Sequence, residues 1–257
     1  MELLNLNSFE MEQLRDKLAR NNKYKLLYKT YNDIYSEIKD LNNQDFWDKK
    51  LESDKNEMNK SSIFIDKIDK VINFLKKKEG KMLNIGFGNG LLERKLGKSN
   101  EDLELFGIDI SRYAVKKMNK RLTGEYKLGN IIKIPFKSSA FDYIIALDVL
   151  EHIRPSKTLK ALSEVNRVLK KGGVLIVSVP LNEDLENMLK KGENPNEHLR
   201  VYTIPVVIAE LKFSKFKPFK EYFLYAFKSF YKLKTFVIRL LPIELRKPNL
   251  LILFAKK

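Results

Sequence analysis

The sequence predicts a doubly wound α/β domain, with seven strands in a parallel-type sheet and helices on both faces, preceded by a helical N-terminal extension. Three observations predict it. From Lys81 onward, short apolar runs alternate with stretches of helical period. The first run passes through a glycine-rich turn, Gly86-Phe87-Gly88-Asn89-Gly90, into a helix. The second run ends on an acid, Asp109, just ahead of a helix that Ser111 is suited to cap.

The elements follow in order. Residues 1–79 read as polar and helical, suited to a lid or an interaction arm. Tyr24, Leu27, Tyr28, Tyr31 and Tyr35 recur at spacings of three and four, as a packing face would. Phe64, Ile68, Val71, Ile72 and Leu75 mark an amphipathic helix ending near Lys78, where Glu79-Gly80 breaks the pattern. The domain then runs over 80–257. Strands are expected at 82–85, 105–108, 126–128, 143–147, 174–179, 222–226 and 250–255, and helices across 91–96, 111–122 and 157–169. The last of these helices is expected to stop at Lys170-Lys171-Gly172-Gly173, cations and glycines suiting a helix C-terminus.

Composition narrows the classes. The 257 residues are 44% hydrophobic and 32% charged, enough for a sizeable core. No cysteine is present, which excludes disulfides, thiolate zinc sites, iron–sulfur clusters and cysteine nucleophiles, and fits a reducing cytoplasm. The first twenty residues lack the apolar core of a signal peptide, and no apolar run approaches the ~20 residues of a membrane span. The chain reads as cytoplasmic, soluble or peripheral at a membrane face. Net charge is +16, and from Lys212 to Lys257 twelve basic residues stand against Glu221 and Glu244 alone. Such an excess attracts phosphate polyanions or anionic headgroups, or simply keeps a surface solvated.

The glycine turn is the most informative stretch. A dinucleotide fingerprint needs glycine at position 91, which is Leu91, and no Gly-Lys-Ser/Thr follows as a P-loop requires. The spacing Gly86-x-Gly88-x-Gly90 suits a ligand with an amino-acid carboxylate and no pyrophosphate. Asp109, at the end of the second strand, can accept hydrogen bonds from both hydroxyls of a ribose, or else stabilise the dipole of the next helix. Asn130, in Gly129-Asn130-Ile131, can pair with an adenine edge while Ile131 packs on its face, or form an ordinary turn. Leu147 and Asp148 fall at the carboxyl end of the central strand, beside the switch point where open α/β sheets bind ligands.

Together Asn84-Ile85-Gly86-x-Gly88-x-Gly90, Gly107-Ile108-Asp109-Ile110-Ser111, Ile134-Pro135-Phe136, Phe141-Asp142, Leu150-Glu151-His152-Ile153 and Leu169-Lys170-Lys171-Gly172-Gly173 resemble the class I S-adenosylmethionine-dependent methyltransferases, in particular their type 11-like branch. The resemblance covers about Lys81 to Val179. It implies a Rossmann-like, mostly parallel sheet with an antiparallel last strand, and S-adenosylmethionine as cofactor. The cofactor contacts it implies are Asn84, Gly86, Phe87, Gly88, Asn89, Gly90, Asp109, Ile110, Asn130, Ile131, Leu147 and Asp148. Asn84 and Asn130 depart from the family, which usually carries acids there. Asn84 therefore brings no charge towards the cofactor's ammonium group.

The sulfonium carries its own activation, so the protein mainly aligns an acceptor oxygen or nitrogen behind the methyl group and excludes water. His152 is the candidate general base, and a loop-capping histidine is the alternative. His198, Arg200 and Tyr202 are candidates on the substrate side. With two histidines in the chain, no His-rich metal site is expected. Lys228, Lys232, Thr235 and Arg239 share one face of a basic amphipathic stretch over 227–247, with Phe227, Phe230, Tyr231, Leu233, Phe236, Val237, Leu240 and Leu241 around them. That stretch reads as a cap helix, or as a contact with anionic membrane or a greasy acceptor. The acceptor expected is a small molecule, lipid or glycan. An RNA methyltransferase is the alternative that the charge suggests, though no RNA-binding module is recognisable. A non-catalytic partner subunit that kept the fold is the third reading.

Overall fold

The computed structural model describes residues 33–35, 38–53, 61–227, 229–242 and 245–257. Tyr24, Leu27, Tyr28 and Tyr31 of the predicted stripe lie outside the described residues, as does Lys228. In chain order the elements are α1 (Gln44–Ser53), α2 (Ser62–Leu75), β1 (Gly80–Ile85), α3 (Leu91–Leu96), β2 (Leu103–Asp109), α4 (Arg112–Asn119), β3 (Glu125–Leu128) and β4 (Phe141–Leu147). A 3-10 turn over Leu150–His152 leads to α5 (Pro155–Val168) and β5 (Leu169–Pro180). Then come α6 (Leu185–Lys190), α7 (Ile204–Phe213), β6 (Lys217–Leu224), α8 (Tyr231–Leu240) and β7 (Leu250–Lys256). Seven strands form one sheet in the order β3-β2-β1-β4-β5-β7-β6. All pairings are parallel except those of β7, which runs antiparallel between β5 and β6.

Because the sheet is covered on both faces, its strands are apolar without polar alternation, and successive residues feed two cores. Leu83, Ile144, Leu175, Val177 and Leu253 pack beneath α5 and α7. Met82, Ile145, Ile176, Ile252 and Phe254 face the other way, against Ile68, Val71 and Leu75 of α2 and Leu92 and Leu96 of α3. The helix predicted from the spacing of Phe64 to Leu75 thus forms part of the sandwich.

Two elements differ from expectation. α5 ends at Val168, and Leu169 is already extended, so no glycine cap closes the helix. Gly172 and Gly173 instead lie in β5, where the register against β4 shifts between Phe141 and Tyr143. A Cβ on Gly173 would stand 2.9 Å from the Asp142 carbonyl oxygen, so the close approach of the two strands there requires glycine. On α8, Thr235 is buried rather than part of a polar face, and Tyr231 donates its hydroxyl to Asp66 at 2.9 Å. That inward face leaves Phe230, Leu233, Phe236, Val237 and Leu240 in solvent, with Phe230 75% and Leu240 70% exposed. Among the described residues no helix is long and apolar enough to cross a membrane.

Candidate active site

The carboxyl ends of β1, β2, β4 and β5 gather the residues that the motifs single out. The turn after β1 needs left-handed backbone at Gly86, Gly88 and Gly90 (φ +70°, +53° and +68°). A Cβ on Gly88 would meet only Leu51 of α1, 3.8 Å away, so this turn faces open space roofed by the N-terminal extension. Asp109 fixes the turn to β2: its Oδ2 accepts from the Gly88 N–H and its Oδ1 from the Ser111 N–H, each at 2.9 Å. Ser111 caps α4 by accepting from the Ala114 N–H at 3.1 Å. Burial pushes the Asp109 carboxyl up to about 6.

The extension lies across this edge. Asp48 of α1 accepts from the Ser111 hydroxyl at 2.5 Å and from the Tyr113 N–H at 2.9 Å. Burial would raise the Asp48 carboxyl, but those bonds outweigh it and hold it below the usual range. Leu51 packs with Phe87, Ala114, Met118 and Tyr126. From α2, the buried Lys67 ammonium is ion-paired with Asp148. Asp148, held at φ +52°, also accepts from the Ser178 hydroxyl at 2.5 Å. Burial opposes ionisation of Asp148, yet Lys67 keeps its carboxyl below the usual range. Trp47 meets the edge of the His152 ring, with centroids 5.0 Å apart. Two cavities of about 430 and 580 Å³ open at the other edge of the sheet, around Lys78, Asp142 and Tyr143, away from these groups.

Comparison with known proteins decides what this edge belongs to. Residues 83–177 match the family model described as a methyltransferase domain. An uncharacterised protein of Methanocaldococcus jannaschii is 32% identical over 176 residues, covering 68% of this chain and 72% of that one. A tRNA (carboxymethyluridine(34)-5-O)-methyltransferase of Xenopus tropicalis is 34% identical over 97 residues, which are 37% of this chain and 15% of that protein. The N-methyltransferase NodS of Bradyrhizobium japonicum, solved with S-adenosyl-L-homocysteine, shares the fold at a TM-score of 0.59 and 13% identity, over 82% of this chain and 98% of its own. The chain belongs to the class I S-adenosylmethionine-dependent methyltransferases.

The methyltransferase cofactor is S-adenosylmethionine, and the residues present fit it. The glycine turn leaves the space above Gly88 free of Cβ, and Asp109 presents an acceptor at the end of β2. Asn130 is exposed, its Oδ1 accepting from the Ile132 N–H at 3.0 Å. Ile131 differs from expectation. It is buried in the core with Ile108 and Ile134 rather than lying open at the edge. Asn89 accepts from Lys117 at 2.9 Å, and Ile110 and Leu147 are half-buried at the same edge.

Asn84 has a partner that sequence reading missed. Its amide donates to Glu93 of α3 at 2.6 Å, wholly inside the protein. An acid thus stands beside the asparagine that replaces the family's acid, one helix turn beyond the glycines. Burial raises Glu93 from 4.5 to about 7. Between those two values the folded chain holds a proton that the unfolded chain has released. Stability from this group is therefore full below about pH 4.5 and falls as pH rises towards 7, by on the order of 3 kcal/mol. We expect urea midpoints to drop more between pH 5 and pH 7.5 in the wild type than in Glu93→Gln. Equal drops would show that Glu93 is not held protonated.

The substrate-side candidates separate. Arg200 and Tyr202, expected on the substrate side, are instead both buried. Arg200 forms an ion pair with Glu210 and donates to the Thr158 hydroxyl at 2.9 Å, while the Tyr202 hydroxyl donates to Glu210 at 2.7 Å. This network ties the segment before α7 to α5 and α7. His198 does reach the candidate active site, its ring 4.9 Å from that of His152. Burial lowers His152 to about 3, so its imidazole is neutral at ordinary pH.

Proposed function

We propose that this methyltransferase transfers a methyl group to an oxygen or nitrogen of an amphiphilic acceptor, a lipid or a lipid-linked glycan, with residues 80–257 carrying the chemistry and α1 serving as a lid. One observation carries the reading. β6 runs parallel to β5, so the connection to β7 leaves the sheet at the same edge as the glycine turn and Asp148. That connection holds α8, whose Leu233, Phe236, Val237 and Leu240 are exposed beside Lys232, Lys234 and Arg239. Apolar side chains rimmed by cations suit an interface of acyl chains and anionic headgroups. Tyr231 of α8 bonds to Asp66, the neighbour of Lys67, which links this surface to the Asp148 side of the edge. In the reaction the acceptor attacks the sulfonium methyl, and Asp109, the glycine turn and Asn130 hold the cofactor. His152 and His198 line the acceptor side.

The test offers labelled S-adenosylmethionine with anionic lipid vesicles, a total lipid extract containing glycolipids, or bulk RNA from the same cells. We expect label in the lipid fraction, and at least a tenfold loss of that label in a Phe236→Asp, Leu240→Asp double variant that still binds S-adenosyl-L-homocysteine. Label in RNA alone, or lipid labelling that the double variant leaves unchanged, would overturn the reading.

A further inference from the structure

The second cluster at the candidate active site is not explained by cofactor binding. Glu151, His152 and His198 each bring one possible ligand atom to within 4.8 Å of the others. Glu151 is 1% exposed, and neither of its carboxylate oxygens has a hydrogen-bond partner among the described residues. A buried carboxylate left without a partner is costly, and a cation beside it removes that cost. Lys67, a cation that acts on Glu151, is already paired with Asp148.

The histidines are held in the manner of metal ligands. Nδ1 of His198 lies 2.6 Å from Glu183, a carboxylate that fixes the ring and leaves Nε2 with its lone pair. Nδ1 of His152 faces the Glu197 carbonyl oxygen at 3.4 Å, and the ring is further held by Trp47. The sequence suggested no metal site because it contains only two histidines, 46 residues apart (198 − 152). The fold unites them by returning the chain after β5 across the end of β4, where the Leu199 N–H donates to the Glu151 carbonyl at 2.9 Å.

We propose that Glu151, His152 and His198 form a binding site for one divalent transition-metal ion. Two imidazoles and one carboxylate, with no thiolate, suit Zn²⁺, Mn²⁺, Co²⁺ or Fe²⁺ over Mg²⁺ and Ca²⁺, which prefer shells of oxygen. Three protein ligands leave positions open. The ion's role rests on the proposed methyl transfer: an acceptor hydroxyl takes an open position and is made more acidic there. Its proton leaves to solvent and its oxygen bonds to the methyl carbon. The carbon–sulfur bond breaks with its electron pair going to sulfur, giving the methyl ether and S-adenosyl-L-homocysteine. Asp148 is not a ligand, being committed to Lys67 and Ser178.

The test needs no acceptor. Full-length protein, stripped with chelator, is titrated with Co²⁺ and followed by visible absorption, then with Mn²⁺ by electron paramagnetic resonance and with Mg²⁺ by calorimetry. The expected result is one Co²⁺ per chain with a ligand-field band, Mn²⁺ competing for the same site, and Mg²⁺ at least 100-fold weaker. Glu151→Gln and His198→Ala should each weaken Co²⁺ at least 30-fold. Co²⁺ should raise the melting temperature of the wild type and not of Glu151→Gln, so a variant that folds poorly still reports through the wild-type shift. A folded wild type with no stoichiometric band, or a band that survives both substitutions, overturns the proposal. Because binding is read without acceptor, lipid labelling can fail while the metal site stands, and the reverse.

Discussion

Asp109→Ala is expected to weaken binding of S-adenosyl-L-homocysteine by about 100-fold or more in calorimetric titration. A carboxylate accepting from two ribose hydroxyls contributes roughly 1.5–3 kcal/mol per bond, and about 2.7 kcal/mol corresponds to a factor of 100. The substitution also removes acceptors from the Gly88 and Ser111 N–H groups, so circular dichroism and a melt must show that the variant is folded. The wild type supplies an independent check. With the Asp109 carboxyl pushed up to about 6 in the free protein, affinity should fall as pH drops below that value, because the group must be charged to serve as a double acceptor. Asp109→Ala should show no such dependence. Unchanged affinity in a folded variant would leave Asp109 as a clasp between the glycine turn and α4 and no more.

Arg200→Ala is expected to destabilise the protein by about 3–5 kcal/mol, since removing one charge of a buried pair takes away the counter-ion of the other. For a domain of this size that corresponds to a fall of roughly 10 °C in melting temperature. The reason lies in Glu210, which is 0% exposed and would keep the Tyr202 hydroxyl as its remaining partner in that network. Differential scanning fluorimetry and urea unfolding measure the effect. A side chain that met substrate in a cleft would instead leave the melt nearly unchanged and raise KM. That pattern would overturn the structural role.

What could be read from sequence was mostly what the backbone itself demands. Gly86, Gly88 and Gly90 announce a turn that other residues resist, and Asp109 follows a strand whose apolar run is unmistakable. Both parallel cores were also legible, because a run such as Tyr143 to Leu147 can serve only a strand covered on both sides. The misreadings arise where the fold brings together residues whose contact no local pattern announces. Arg200 and Tyr202 look like surface chemistry until Thr158 and Glu210 are brought against them. Ile204 to Leu211 forms a helix buried on nearly every side, so its apolar residues show no helical period to detect. Nothing near Asp48 in sequence hints at Ser111, 63 residues on. Glu93 escaped notice because an acid in a first helical turn is ordinary, and only the fold presses it against Asn84.

The adjacent residues Trp47 and Asp48 sit on one short helix and touch different halves of the edge. Asp48 holds the start of the helix that follows Asp109, while Trp47 rests on His152. A helix of ten residues cannot shift at one of these positions and stay fixed at the other. A ligand that shifted α1 at one of these positions would therefore alter the other, and any such coupling is reciprocal: the factor one ligand applies to a second ligand's affinity, it receives in return.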